Sequence, residues 1–460
     1  MHAKTLCKLV VLSSVVLAVT AITARGGTGP RFDIETNDYP QSAMSVASDG
    51  TNFLVGLLGN GAAQPDRVVV QRISSTGSRL GPSIDIGEGA HDIPTVMFGG
   101  TNYLVLWNDT GTSAVAGQRV SCGGELMGTS FPIGSTTVKS WVCGAYDGTN
   151  FLVVWEDTNR QIYGRIVSPT GGVVSAEITV SVGGNGRDPS IACDGTNYLV
   201  TFTSDRRTSN AWFDDVYGQF VSRSGTLVGA NFVIDANECP SDNGGATAFD
   251  GHKYTVLFHD QIPDVGGQWY IFARHVAPDG TVEPARIPIA PCTNRNVQFP
   301  TIVFDGAGYL IAVNEGGLEA NATVRACYHD GDLNRVTPWF SLSEPSSTDE
   351  TFVFAGLTSG GGKSFAVLPS MGTQGFTNAY GVIIDTNFPA FTYAGVADGS
   401  VTLSLTNLFF GSSNSIEGAT SLTVTNWGTV DYLTARSSST NWSEGVGSSS
   451  NTTFYRLRWK

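Results

Sequence analysis

A short phrase recurs along the chain at regular intervals and constrains the fold more than any other feature. The phrase, Asp-Gly-Thr-Asn-aromatic-Leu-Val, occupies residues 49–55, 147–153 and 194–200. A variant at 99–105 keeps every position except the first Asp, and looser copies begin at Asp250, Asp305 and Gly361. Repetition of one unit about every 50 residues is typical of a solenoid or of a ring of identical small units. The phrase therefore predicts a repeat fold, and by itself it indicates little about chemistry.

One repeat, residues 189–235, contains four short apolar runs separated by turn signals. The first turn is Asp194-Gly195, and Asp-Gly is typical of a two-residue hairpin turn in which both central positions have positive φ. The second run is almost continuously apolar in every repeat, as expected for a strand that is covered on both faces. Four antiparallel strands per repeat is the layout of a β-propeller blade, with each blade packed between two others.

The number of repeats predicts seven blades. Six complete repeats extend from about Pro40 to Glu350, and a seventh begins near Phe352 but lacks a fitting fourth strand. Residues 32–37, followed by Pro40, match the fourth-strand pattern. We therefore predict an all-β chain: a seven-bladed β-propeller closed by an N-terminal strand, followed by a small C-terminal β-sandwich domain. Closure in this way removes the open sheet edges. A different assignment of the last repeat would give six or eight blades.

The repeat also resembles a family of repeats found in secreted bacterial proteins. The family pattern is DGTNYLVVW-x-D followed by D-x-YGQ-x-VS-x-x-G, and residues 147–157 and 215–225 match it best. The resemblance covers residues 31–388. It implies a β-propeller of mostly unassigned role, and it implies no catalytic residue.

The two ends of the chain differ from the repeats. Lys4 and Lys8 precede an apolar run at residues 9–24, which predicts a signal peptide at 1–24 and a secreted or cell-envelope location. A retained N-terminal anchor is the alternative, although the run is short for a membrane span. We expect the propeller at 31–388, a C-terminal β module at 389–460, and no membrane span after cleavage.

The C-terminal part is rich in Ser, Thr and Asn and resembles a small β-sandwich module that ends many secreted proteins of planctomycete- and verrucomicrobium-like bacteria. That module has an I-E-x-S-T-x-L-x-x-W stretch and a closing FYRL/VR, which correspond here to residues 416–427 and 454–458. The chain departs from the pattern at Ala419-Thr420 and at Thr425-Asn426. The resemblance implies attachment or surface presentation.

Charge and cysteine content restrict the partners. The formal net charge is −14, which argues against nucleic acid because phosphate binding needs a basic surface. Seven cysteines are present, and Cys7 lies in the predicted signal peptide. No C-x-x-C pair occurs, so a zinc or redox motif is not supported. Cys239 and Cys292, at similar places in successive repeats, are the one suggestive disulfide pair.

Polar residues, most of them acidic, recur where the second strands end. Four-stranded meanders bring these ends together at one end of the propeller, so we predict an acidic mouth that binds a cation or a hydroxyl-rich ligand. Capping of each strand end by its own carboxylate is the simpler alternative. The candidate residues are Asp109, Glu156, Asp157, Asp205, Asp260 and Glu315.

Two tryptophans add asymmetry. The longer second-to-third loops of repeats four and five place Trp212 and Trp269 near these carboxylates, and aromatic faces beside carboxylates are typical of sugar sites. Packing between blades is the alternative for both rings. The main functional prediction is a secreted, non-catalytic module that binds carbohydrate, a protein or a divalent cation. The alternative is a secreted carbohydrate-active hydrolase or lyase that uses these carboxylates. No catalytic residue is singled out, and Ca²⁺ is the one cofactor considered.

Overall fold

The computed structural model contains only strands among its described elements, which confirms the all-β prediction. It describes residues 7–12, 15–20, 27–35, 41–61, 64–90, 94–134, 138–183, 185–205, 214–236, 243–262, 268–290, 295–316, 322–337, 339–343, 351–352, 355–372, 375–385, 390–397, 400–406, 413–419, 428–434, 439–445 and 454–459. The chain divides into two compact units, one of residues 30–333 and 340–383 and the other of residues 1–29, 334–339 and 384–460.

The first unit is a seven-bladed β-propeller, as predicted. Four strands precede the repeats along the chain. Three lie in residues 1–29, which belong to the second unit: β1 (Cys7–Leu12), β2 (Val15–Thr20) and β3 (Gly27–Thr28). The fourth, β4 (Phe32–Asp33), belongs to the first unit. Blade 1 contains β5 (Gln41–Ser48), β6 (Asn52–Gly61), β7 (Gln64–Ser74) and β8 (Ile84–Glu88). Blade 2 contains β9 (Thr95–Phe98), β10 (Asn102–Asp109), β11 (Ala114–Ser121) and β12 (Leu126–Pro132).

The next four blades follow the same order. Blade 3 contains β13 (Val138–Tyr146), β14 (Phe151–Asp157), β15 (Ile162–Val167) and β16 (Ile178–Thr179). Blade 4 contains β17 (Gly186–Cys193), β18 (Asn197–Ser204), β19 (Asp215–Ser222) and β20 (Leu227–Asp235). Blade 5 contains β21 (Asn243–Phe249), β22 (Tyr254–Ile262), β23 (Gln268–Val276) and β24 (Ile287–Ala290). Blade 6 contains β25 (Val297–Phe304), β26 (Tyr309–Glu315), β27 (Thr323–His329) and β28 (Phe340–Ser341).

The last blade draws on both ends of the propeller sequence. It contains β29 (Thr351–Phe352), β30 (Gly356–Gly360), β31 (Lys363–Gly372) and β32 (Gly375–Asp385), and β4 pairs with β32 as its outer strand. Gly381 faces Phe32 of β4, where a Cβ would lie 2.5 Å from the ring Cζ. Gly218 faces Phe232 of blade 4 in the same way, at 2.6 Å. The N-terminal strand therefore takes the place of a fourth strand and closes blade 7, as predicted.

The first strands of the seven blades form the innermost ring of the propeller. Around the ring, β5, β9, β13, β17, β21, β25 and β30 are neighbours in that order, and β30 lies beside β5. Side chains link adjacent members of the ring. Ser45 Oγ accepts a hydrogen bond from Val96 N at 2.7 Å, and Ser190 Oγ accepts one from Thr247 N at 3.1 Å.

The Asp-Gly-Thr-Asn phrase forms the turn between the first and second strands, with a geometry that differs from the prediction. In blade 3 only Gly148 has positive φ, whereas positive φ was expected at two positions. The Asp147 carboxylate instead accepts hydrogen bonds from Thr149 N and Asn150 N, both at 2.7 Å. The Asp147 side chain thus accepts hydrogen bonds from the backbone N–H groups of the turn and holds the turn closed.

Where the aromatic residue of the phrase is a tyrosine, its hydroxyl can fasten a blade to the one before it. Tyr198 of blade 4 donates its hydroxyl hydrogen to Asn150 O of blade 3 at 3.0 Å, and Tyr254 of blade 5 donates to Asn197 O of blade 4 at 3.1 Å. Both rings are fully buried. The phrase is therefore a structural element of turn and blade contact, and its recurrence does not mark a ligand site.

The inner strands are irregular near the end where the second strands finish. In five blades the register between the first and second strands shifts there, as in blade 4 between Arg187 and Ser190. Asp188 and Phe299 occupy these bulges with φ of 51°, a left-handed conformation that is uncommon for residues other than glycine. Bulges of this kind redirect side chains and are frequent beside functional sites.

Apart from β3, the described strands of the second unit form two sheets. One has three strands: β33 (Ala390–Ala397), β34 (Ser400–Thr406) and β37 (Ser439–Gly445). The other joins β35 (Ser413–Ala419), β36 (Gly428–Thr434) and β38 (Phe454–Trp459) to β1 and β2. The packing of these sheets into a sandwich and the cleavage of residues 1–24 stay predictions. Among the described residues, no helix has the length and apolar character to cross a membrane.

Candidate functional site

Blades 2 to 6 each have two adjacent polar residues near the end of the second strand. Because side chains alternate along a strand, the two residues point to opposite faces of the blade. The first residues of these pairs are all buried: Asn108, Glu156, Ser204, His259 and Asn314. The second residues are the predicted carboxylates Asp109, Asp157, Asp205, Asp260 and Glu315. These ten positions share one end of the propeller, but they differ in what their side chains contact.

Two of the predicted carboxylates stabilise their own turns. Asp109 accepts hydrogen bonds from Gly111 N at 2.9 Å and from Thr112 Oγ1 at 3.0 Å. Asp157 accepts hydrogen bonds from Asn159 N at 2.9 Å and from Gln161 N at 2.7 Å. These contacts are the capping that the simpler alternative described.

Two others are paired with arginines. Glu315 contacts Arg325, with Oε2 and Nη1 3.0 Å apart. The fully buried Asp260 forms an ion pair with Arg286, whose guanidinium also lies 3.8 Å from Asp235 Oδ2 at the end of blade 4. Arg274 contacts Asp235 at 2.6 Å. With two arginines for two carboxylates, this group is balanced in charge and joins blade 4 to blade 5.

Asp205 lies in a different environment. Its side chain is 6 % exposed, and its Oδ1 has no hydrogen-bond partner. Asp214, at the far end of the same loop, is 1 % exposed and forms an ion pair through Oδ1 with Arg187 of the inner strand, while its Oδ2 lacks a partner. Ser204 Oγ, also buried, is unpartnered as well. We call Arg187, Asp205 and Asp214 the carboxyl cluster of blade 4.

The electrostatics of the cluster raise the pKa of Asp214. Burial raises the pKa of this carboxyl above its ordinary value, and the negative charge of Asp205 adds to the rise. The guanidinium groups of Arg187 and Arg160 oppose it, and burial is the larger effect. A raised carboxyl pKa is the direction in which catalytic acids are tuned.

Blade 3 supports the inner strand at the cluster. Asp188 N donates a hydrogen bond to Glu156 Oε2 at 3.4 Å, and Arg187 O accepts one from Thr203 Oγ1 at 3.3 Å. Glu156 therefore contacts the backbone of the bulge next to Arg187. The sequence analysis did not select Asp214. The acidic pair Asp214-Asp215 at the start of the third strand is the signal that could have identified it, since third strands begin at the same end of the propeller.

Of the two predicted tryptophans, Trp269 packs against a buried histidine. Trp269 is partly exposed, and its ring meets the ring of His259 edge-on with centroids 5.1 Å apart. His259 is fully buried, also contacts Phe299 edge-on at 5.7 Å, and has no hydrogen-bond partner on either ring nitrogen. Burial lowers the pKa of His259 to about 4. Trp212 lies outside the described residues.

The described ranges contain no group of three or more His, Cys, Asp or Glu side chains that could hold a metal ion. Calcium binding therefore stays a prediction. Cys239 and Cys292 lie outside the described residues, so their pairing stays a prediction too. The four described cysteines with free thiols are Cys122, Cys143, Cys193 and Cys327.

Comparisons with known proteins give structural matches only. No family model matches the chain, and no curated protein matches its sequence. An ulvan lyase from a new polysaccharide lyase family is 10% identical, with a TM-score of 0.50 over 75% of this chain and 92% of that chain. An α-L-arabinanase from Penicillium chrysogenum is 11% identical, with a TM-score of 0.42 over 78% of this chain and 98% of that chain. The β-propeller domain of the Trilobed protease from Pyrococcus furiosus is 11% identical, with a TM-score of 0.48 over 74% and 95%. At this identity the likeness shows the β-propeller fold.

These comparisons also correct the functional prediction. The sequence favoured a non-catalytic binding module, whereas a solved structure that matches with a TM-score of 0.50 is a polysaccharide lyase. The main prediction is wrong, and the alternative of a hydrolase or lyase is the one they favour. The sequence pattern makes the recurring carboxylates look equivalent, although their surroundings differ between blades. Asp109 and Asp157 are caps, but Asp205 has an unpartnered carboxylate oxygen.

Proposed function

We propose that the chain is a secreted carbohydrate-active enzyme that cleaves glycosidic bonds at the carboxyl cluster of blade 4. One observation carries the proposal: two buried carboxyl groups at the same end of blade 4, Asp205 and Asp214, interact, since the charge of Asp205 raises the pKa of Asp214. Each also keeps an oxygen without a hydrogen-bond partner, which is costly for a buried group and which a bound molecule would relieve. The raised pKa of Asp214 supports its assignment as the proton donor.

Hydrolysis is the reaction that this arrangement fits best. Asp214 gives its proton to the glycosidic oxygen while the bond from that oxygen to the anomeric carbon breaks. Asp205 takes a proton from the water that forms the new bond to the carbon, or it forms that bond itself before water replaces it. Arg187 is already paired with Asp214, so it is less suited to hold the uronate carboxylate that a lyase substrate presents.

The test is cleavage by the purified full chain of a panel of neutral and uronate-containing polysaccharides. New reducing ends without an unsaturated product identify a hydrolase, and the ultraviolet absorbance of an unsaturated uronate identifies a lyase. Asp214→Asn and Asp205→Asn are expected to lower kcat at least about 100-fold, because each removes a proton-transfer group. The same cleavage assay in the presence of a chelator tests whether Ca²⁺ contributes to activity.

The matched control is Asp109→Asn. This carboxylate occupies the equivalent position in blade 2 but bonds its own turn, so its loss should leave kcat unchanged. Full activity in both Asp205→Asn and Asp214→Asn contradicts the proposed site. Glycan binding without cleavage of any polysaccharide contradicts the enzyme.

A further inference from the structure

The backbone of Arg187 is held in place by a residue of the preceding blade. Arg187 follows Gly186, the first residue of β17. A Cβ at Gly186 would lie 2.6 Å from Ser181 Cβ and 2.7 Å from Ser181 Oγ. Gly186 has an ordinary negative φ, so close approach rather than backbone conformation accounts for glycine here. Ser181 is fully buried. The position of Ser181 therefore limits where the chain can enter the inner strand that carries Arg187.

Ser181 is itself fixed by the third strand of blade 3. Its Oγ accepts hydrogen bonds from Ile162 N at 2.8 Å and from the Gln161 side-chain amide at 2.5 Å. The same amide also donates to Ser181 O. Gln161 N donates to the Asp157 carboxylate at 2.7 Å. A continuous set of contacts thus runs from the Asp157-capped turn through Gln161 and Ser181 to Gly186 and Arg187.

Blade 6 contains the same serine with the same strand contacts. Val324 N donates to Ser343 Oγ at 2.7 Å, and Ser343 N donates to Val324 O at 3.3 Å, which repeats the bonds between Ile162 and Ser181 almost atom for atom. Ser343 O accepts its hydrogen bond from the hydroxyl of Ser341. The serine is therefore a local feature of the fold in both blades. Among the described residues, blade 3 differs at Gln161, whose place in blade 6 is taken by Thr323. The described contact of the blade 3 serine with Gly186 leads on to Arg187.

We propose that Gln161 and Ser181 are positioning residues that align Arg187 with Asp214. The inference rests on the proposed function, because Asp214 is its proton donor. Neither residue touches the carboxyl cluster directly. They act by holding Gly186, so that the Arg187 guanidinium meets the buried carboxyl of Asp214 and not solvent.

Misplacement of Arg187 would change the pKa of Asp214. Among the described residues, Arg187 and Arg160 lower the pKa of Asp214, and Asp205 raises it. If Arg187 moves away, the opposing cation weakens, and the pKa of Asp214 rises further. The acid then holds its proton to higher pH. We expect the alkaline limb of the kcat profile to move to higher pH while KM changes little, since substrate contacts remain.

The test compares Gln161→Met and Ser181→Ala with Ser343→Ala as the matched control. The readout is the carboxyl titration of Asp214 by carbon NMR of aspartate-labelled protein, with the resonance assigned from Asp214→Asn. Gln161→Met, which keeps the side-chain length but removes the amide, is expected to raise the Asp214 pKa by about one unit. Ser181→Ala should raise it less, and Ser343→Ala should not change it. Thermal unfolding should show a similar loss of Tm for the two serine variants.

The outcomes separate this inference from the proposed function. An unchanged Asp214 titration in Gln161→Met and Ser181→Ala overturns the positioning role, even if the enzyme cleaves glycans. A raised pKa in a protein that cleaves no polysaccharide supports the positioning role and contradicts the proposed function. If Gln161→Met does not fold, the less disruptive Ser181→Ala and its blade 6 control decide the question.

Discussion

His259 shows how one buried residue links stability to pH. Its ring is fully buried between the edge contacts of Trp269 and Phe299, and neither nitrogen has a hydrogen-bond partner. An imidazolium in this place would lose its hydration without gaining an acceptor. Burial accordingly lowers the pKa of His259 from 6.5 to about 4.

The lowered pKa of His259 makes the folded protein less stable at acidic pH. Above pH 6.5 the residue is neutral in the folded and unfolded chains, so it makes no difference. As the pH falls from 6.5 towards 4, the unfolded chain binds the proton first, and the folded state loses up to about 3 kcal/mol. His259→Phe should remove this part of the pH dependence. Denaturant unfolding of both proteins across this range measures it, and parallel curves would contradict the prediction.

At the scale of elements, the Asp-Gly-Thr-Asn turn is the unit that the sequence repeats. Asp49 and Asp147 make the same two bonds to backbone N–H groups of their turns, at 2.6–2.8 Å. Asp147 differs because its other oxygen accepts a hydrogen bond from Arg223 of blade 4 at 3.0 Å. Both carboxylates interact with the tyrosine of the next blade, Tyr103 for Asp49 and Tyr198 for Asp147. The Asp147 turn thus differs in its additional contact with an arginine.

Alanine variants of the two turns should therefore differ. Asp49→Ala is expected to lower the free energy of unfolding by about 1 kcal/mol, because its turn donors return to water at the surface. Asp147→Ala should cost more, since it also leaves Arg223 without its acceptor and removes a contact between blades. Chemical denaturation of the two variants side by side measures the difference. Equal losses would mean that the Arg223 contact contributes nothing to stability.

The repeated elements could be predicted from the sequence, and the chemical asymmetry could not. Turn residues and apolar runs specify strands locally, so the phrase was sufficient to find seven blades and the unpaired N-terminal strand. The state of each carboxylate depends on its neighbours in other blades. Asp157 and Asp205 occupy equivalent positions, yet one caps a turn, and the charge of the other raises the pKa of Asp214. Both are buried, so the difference comes from the neighbouring groups, which are set by tertiary packing.

At the scale of the whole molecule, closure of the ring depends on Phe32. Its ring stacks on Phe365 with centroids 5.9 Å apart and covers Gly381 of the same blade. It also covers Gly77 of blade 1, where a Cβ would lie 2.8 Å from the ring. Phe32 thus joins the last blade to the first, through a strand that reaches blade 7 from the opposite end of the propeller sequence.

Phe131 of blade 2 offers a matched comparison. It covers Gly117 of its own blade and Gly171 of the next, each with a Cβ position 3.2 Å from its ring, but its strand follows β11 directly in the chain. Phe131→Ala and Phe32→Ala should lose similar local packing, about 3 kcal/mol. Only Phe32→Ala should also release β4, because no short connection holds that strand against β32. Hydrogen exchange in β32 and proteolysis near residue 30 should then increase in Phe32→Ala and stay unchanged in Phe131→Ala. Equal protection in both variants would mean that closure rests on backbone pairing alone.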